Sequence, residues 1–172
     1  MKNFIIGLIV GVALIPAVVL VYFATGMAPV ATAAQAMPFE RTLARMALEN
    51  RVEKEMPKQT PMTPDESLYT GGAQIYINRC AVCHGLPNQP PPPIARGEFP
   101  RPPQLWRGHG VTDDPAGETY WKIANGIRLT GMPAYKQSLA DAQIWQVSLM
   151  LAHADKLPEN VKAILASAQI PQ

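Results

Sequence analysis

Cys80-Ala81-Val82-Cys83-His84 places two thiols and an imidazole within five residues, and these are the only 2 cysteines among 172 residues. Thiols three apart and a histidine four after the first lie along one helical turn, so all three side chains can meet one flat ligand. A porphyrin meets that requirement: each thiol adds across one vinyl group to form a thioether, while His84 coordinates the iron. Covalent links matter here because a domain of about 100 residues buries limited surface, and losing haem would cost it its core. A thioredoxin-like dithiol pair needs a βαβ setting, and no alternating strand pattern precedes Cys80. A zinc site would use Cys80, Cys83 and a distant histidine and leave His84 idle. Two cysteines also exclude a disulfide-stapled scaffold and any all-cysteine zinc or iron–sulfur cage.

The motif must sit at the end of a helix. Thr63-Pro64-Asp65-Glu66 reads as a capping box with proline at the first helical position. Behind it Leu68, Gly72, Ile75, Tyr76 and Cys80 recur at spacings of three and four and trace one buried face. Gly71 and Gly72 in a helix interior cost about 1 kcal/mol each relative to alanine, which the close approach of a second helix would explain. Asp114-Pro115 to Asn125-Gly126 has an N-cap, a proline at the first position and a glycine past the end. Ser138-Leu139-Ala140-Asp141 signals another start, with Ile144, Trp145, Val147, Ser148 and Leu151 on or near one face and Trp145 expected against Gly72 and Tyr76. Pro158 to Ala168 predicts a tail helix that docks on the domain or on a partner. The expected fold is all-α.

From about Leu68 to Lys156 the chain resembles the class I cytochrome c family. The attachment motif is complete and followed by Gly85, and Gly72 and Tyr76 stand where the family places a glycine and an aromatic that meet the C-terminal helix. Pro103-Gln104-Leu105 resembles the family's Pro-x-Leu segment. The resemblance implies that the Pro103 carbonyl accepts the Nδ1 hydrogen of His84 and that Leu105 packs on the ring; such a bond fixes the histidine tautomer and its basicity. Eight prolines from Pro87 to Pro103 make this loop longer than in the shortest members. Gly131-Met132-Pro133-Ala134-Tyr135 resembles the segment of the axial methionine and implies Met132 as the sixth iron ligand. His109 and His153 compete for that position. The family also brings an aromatic to the haem edge, so Tyr120 or Trp121 is expected near a propionate and Arg128 as its ion-pair partner.

Composition completes the frame. The chain is 48% hydrophobic and 16% charged, against a usual charged share of about 25%. The apolar excess lies in Phe4–Phe23, a 20-residue run long enough to cross a hydrocarbon core about 30 Å thick. A cleaved signal peptide would use Ala34-Gln35-Ala36, but the run exceeds a signal core and the site lies well beyond it. Residues 1–37 are therefore expected to be a membrane anchor with a helix over about 4–23, residues 38–64 a charged helix and Pro-rich linker standing off as a stalk, residues 65–157 the cytochrome c domain and residues 158–172 the tail helix. Lys2 is the only basic residue before the run, which places the haem domain on the periplasmic side of the cytoplasmic membrane.

Residues 65–172 carry nine Lys or Arg and nine Asp or Glu, so this domain is neutral and offers no large basic face unless the charges segregate in space. The net charge of +2 argues against nucleic acid. An iron with both axial positions filled changes charge with little rearrangement and has no vacancy for a small-molecule substrate. The expectation is thus a single-haem electron carrier, not an enzyme, between respiratory or photosynthetic-type redox complexes. A fixed haem subunit of a larger oxidoreductase, and a gas sensor or peroxidase if Met132 does not bind iron, are the alternatives.

Overall fold

Proline and glycine punctuate the chain and helices fill the intervals. The computed structural model describes residues 1–170; the last two residues of the expected 158–172 tail lie outside the described residues. Among the described residues the regular structure is helical throughout, in the order α1 (Lys2–Ala24), α2 (Glu40–Glu55), α3 (Glu66–Arg79), α4 (Ala81–His84), α5 (Pro93–Gly97), α6 (Ala116–Asn125), α7 (Asp141–Ala152) and α8 (Glu159–Ser167). The chain forms two compact units, Met1–Leu43 and Ala44–Gln172.

The first unit holds α1, a 23-residue helix with an 18-residue stretch of mean hydropathy 3.0 and none of its residues buried by the protein. Its length and composition suit it to crossing a membrane. The Thr25 hydroxyl closes its end by donating to the Val21 carbonyl at 2.7 Å.

The second unit is organised around α3 and α7. Asp65 caps α3, its carboxylate accepting from the Leu68 N–H at 2.7 Å, so the helix starts two residues later than Thr63 implies and Pro64 stays outside it. α7 starts at Asp141, with the Gln143 side chain accepting from the Ala140 N–H at 2.9 Å. The two helices meet at Gly72, where a Cβ would run into the Gln146 backbone carbonyl and would lie 2.9 Å from Met150 Cβ. That approach answers the cost of a glycine in mid-helix. Tyr76, Ile144, Val147 and Met150 are fully buried around the crossing, each such apolar side chain contributing about 1.5–3 kcal/mol.

Trp145 takes a different place from the one its spacing suggests. It stacks on Tyr120 of α6 with ring centroids 4.3 Å apart, and it packs with Leu68 and Leu149 in a second cluster. The hydroxyl of Tyr120 in turn donates to Asp141. α8 docks on the domain through buried Val161 and Leu165, with Asn160 Nδ2 donating to Glu66 Oε1 at 2.8 Å. The Pro-rich loop contains the short α5, which has Pro93 in its first turn and Ala95 buried. The C-terminal part of α2 is no free stalk: Val52 and Met56 are buried, and Glu55 accepts from the Trp121 indole at 3.2 Å.

Candidate haem site

α3 ends where the motif begins. The N–H groups of Cys83 and His84 both donate to the Cys80 carbonyl, at 3.1 and 2.9 Å, which winds Cys80 to His84 into a single tight turn. Gly85 then leaves the turn at φ +75, and its carbonyl accepts from the buried Tyr76 hydroxyl at 2.7 Å. The turn is thereby clamped to the helix that precedes it. Burial pushes the Cys80 thiol up to about 12, with the neighbouring Cys83 adding to it. Cys83 is also raised, first by burial and then by Glu98.

His84 Nδ1 lies 2.8 Å from the Pro103 carbonyl oxygen. A carbonyl only accepts, so the proton sits on Nδ1 and the lone pair on Nε2 is left for a metal. Burial lowers the His84 pKa from its ordinary value, opposed by the bond to Pro103 and by Glu98. Gln104, which no spacing or composition signal singles out, ties this segment to the motif: its Nε2 donates to the Cys83 carbonyl at 3.1 Å and to the Pro102 carbonyl at 3.3 Å.

The opposite wall comes from the loop between α6 and α7. Gly126 ends α6 at φ +66, and a Cβ there would lie 2.7 Å from Ala134 N and 2.9 Å from the Met132 carbonyl oxygen. Only glycine lets the loop fold so close to the helix end. The Met132 N–H donates to Thr130 Oγ1 at 3.1 Å, and the Tyr135 hydroxyl donates to the Arg79 carbonyl at 2.9 Å, pinning the loop to the end of α3.

These walls enclose a cavity of about 450 Å³ lined by Cys80, Cys83, His84, Pro103, Leu105 and Met132. Two expected site residues lie elsewhere: Trp121 turns its N–H to Glu55, and Arg128 is exposed and outside the lining. The competing histidines are also apart from it. His153 Nδ1 lies 2.8 Å from the Leu149 carbonyl and its ring rests against Tyr69, while His109 is exposed. The charges of residues 65–172 do segregate: Arg79, Arg101 and Lys122 line the cavity against one carboxylate, Glu98, among the described residues, and Arg45 of α2 adds a fourth cation.

The donor set fits haem. Two thiols, one imidazole nitrogen and one thioether sulfur converge on an apolar-walled space. Trp106, directly after Leu105, stands edge-on to Tyr76 at 5.4 Å and so ties this segment to α3.

A glycine-closed helix crossing that carries a Cys-x-x-Cys-His turn, faced by a methionine loop, defines a class I c-type cytochrome domain. Residues 67–149 match the family model described as "Cytochrome C oxidase, cbb3-type, subunit III", and the domain is accordingly one that carries covalent haem c. No curated protein matches the chain.

Proposed function

We propose that the protein is a membrane-tethered, single-haem cytochrome that passes single electrons between protein redox complexes, with His84 and Met132 as the axial ligands. The observation that carries this reading is the convergence of Cys80, Cys83, His84 and Met132 on one cavity. When bound, the haem supplies an iron that takes up and returns one electron. Cys80 and Cys83 hold it covalently. His84 presents a neutral Nε2, fixed in tautomer and direction by Pro103. The Met132 thioether favours the reduced state relative to a second nitrogen ligand and so raises the potential. Leu105, Ile123, Ile127 and Leu151 exclude water from the cavity and disfavour the extra charge of the oxidised state. With His84 and Met132 both holding it, the iron would have no open position for a substrate, which supports a carrier over an enzyme.

α1 anchors the haem domain in the cytoplasmic membrane with the domain outside, a reading supported by the bare apolar surface of the helix and by Lys2 at its start. Tethering confines the domain near co-embedded donors and acceptors and raises its effective concentration to about the millimolar range. The family description names an oxidase subunit, and this supports a second reading in which the domain is a fixed subunit of a larger assembly. Co-purification with a stable multi-subunit complex would favour it.

The deciding experiment is a reduced-minus-oxidised spectrum together with the sulfur-to-iron absorption band. Haem c bands and a sulfur-to-iron band that vanishes in Met132→Ala are expected, with no carbon monoxide binding by the reduced wild type. A band that survives the substitution would remove Met132 from the iron. Removing residues 1–36 should keep the spectrum and slow electron delivery in membranes at equal total protein.

A further inference from the structure

We propose that the haem pocket extends beyond the cytochrome domain into α2, with Arg45 as a cation for the haem carboxylates and Leu48 as part of the pocket wall; this rests on the haem reading above. Arg45, Leu48 and Val52 recur at spacings of three and four and so share one face of the helix, and Met56, directly past its end, continues that line with its N–H donating to the Val52 carbonyl at 2.7 Å. The lower part of that face is seated on the domain. Val52 and Met56 are buried, Glu55 accepts from the Trp121 indole at 3.2 Å, and a Cβ on Gly117 of α6 would collide with the Pro57 carbonyl just past the end of α2. The same face, one and two turns earlier, reaches the cavity, which both Arg45 and Leu48 line.

Seating at one end and cavity lining at the other leave Arg45 a defined role. Its side chain is 81% exposed, and its ion pair to Glu49 is long, at 4.0 Å. Among the described residues, the pair to Glu49 is therefore a weak competitor for the guanidinium. Haem brings two carboxylates into this cavity, and a guanidinium is the side chain best matched to a carboxylate. Lys122, another cation of the lining, is already engaged with Glu118 at 2.5 Å. Residues 45 and 48 precede the matched segment 67–149, so the family match does not account for them.

A cation facing the haem carboxylates disfavours the oxidised, more positive state. In the full-length holoprotein, Arg45→Ala should shift the reduction equilibrium about three- to tenfold toward the oxidised form, with Arg45→Lys recovering part of the shift. Leu48→Ala should shift it the same way by admitting water. Lys54→Ala removes the same charge from the same helix outside the cavity lining and should leave the potential where it was. The readout is a spectroelectrochemical titration, with the sulfur-to-iron band recorded alongside. A potential indifferent to Arg45→Ala and Leu48→Ala, or one that Lys54→Ala moves as far, overturns the inference while leaving the haem reading intact. A wild type without haem c bands overturns the haem reading itself.

Discussion

The crossing of α3 with α7 and the wall of the haem cavity are both built around a glycine, yet they are finished by different means. At the crossing, Gly72 lets two helices touch backbone to backbone, and Tyr76, Ile144, Val147 and Met150 close the space with protein atoms alone. At the cavity, Gly126 lets a loop fold back on a helix end, and the result is a hollow lined by thiols, an imidazole and a thioether. One region is complete as folded; the other is completed by a cofactor. Damage to the crossing should therefore read out in stability, and damage to the wall in the spectrum and potential.

The largest test of that separation is Trp145→Ala. Trp145 is 3% exposed and stacked on Tyr120. Its truncation should lower the stability of the holoprotein by about 3–5 kcal/mol in guanidinium unfolding, with the sulfur-to-iron band intact under native conditions. Loss of the band at full stability would mean that the two regions are not separable.

Gly72→Val comes next. Its side chain must part α3 from α7 at the Gln146 carbonyl, costing about 1–3 kcal/mol by overpacking. Gly71→Ala is the matched control. A Cβ there would meet only the Gln146 side chain, at 3.0–3.1 Å, and that flexible amide can swing aside. The Gly71 change should be neutral, or stabilising by up to about 1 kcal/mol through helix propensity. Equal losses at the two positions would place the close approach elsewhere.

Gly126→Ala probes the cavity wall. With φ +66 and ψ −177, the position is one that glycine occupies almost alone. Alanine should cost about 1–3 kcal/mol and, unlike the Gly72 change, weaken the sulfur-to-iron band, because relief of the contact displaces Met132-Pro133-Ala134. An unchanged band would show that the methionine loop holds its ligand without Gly126.

Much of this division was legible in the residues. Spacing of three and four marked α3, α7 and α8, an N-cap, a proline and a closing glycine marked α6, and the glycines and prolines marked the helix ends within a few positions. The attachment motif, Pro103, Leu105 and Met132 line one cavity, and His84 Nδ1 lies against the Pro103 carbonyl. The failures have physical causes. Seven of the twelve residues of α7 are buried, so its apolar pattern leaves the rotational phase open, and Trp145 went to Tyr120 instead of Tyr76. α2 reads as solvated because Val52 is its one buried residue amid charges, with Met56 buried just past its end, and its partner Trp121 lies 66 residues from Glu55. Net charge could not reveal that four cations gather at the cavity, because a sum has no positions.

The smallest expected effect falls on the start of α3. Asp65 leaves the helix through an extended backbone (φ −139, ψ 175) and gives the Leu68 N–H an acceptor at 2.7 Å that the helix itself cannot supply. Its carboxylate also opposes the positive end of the helix dipole. Asp65→Ala should cost about 0.5–2 kcal/mol, and Asp65→Asn or Asp65→Ser should restore most of it. The cavity is lined from the far end of α3, at Arg79 and Cys80, so neither the potential nor the sulfur-to-iron band should move. A shift in potential with the alanine variant, rescued by serine, would mean that fraying at the N-terminus of α3 is transmitted to the haem turn, and that the crossing at Gly72 does not insulate one end of the helix from the other.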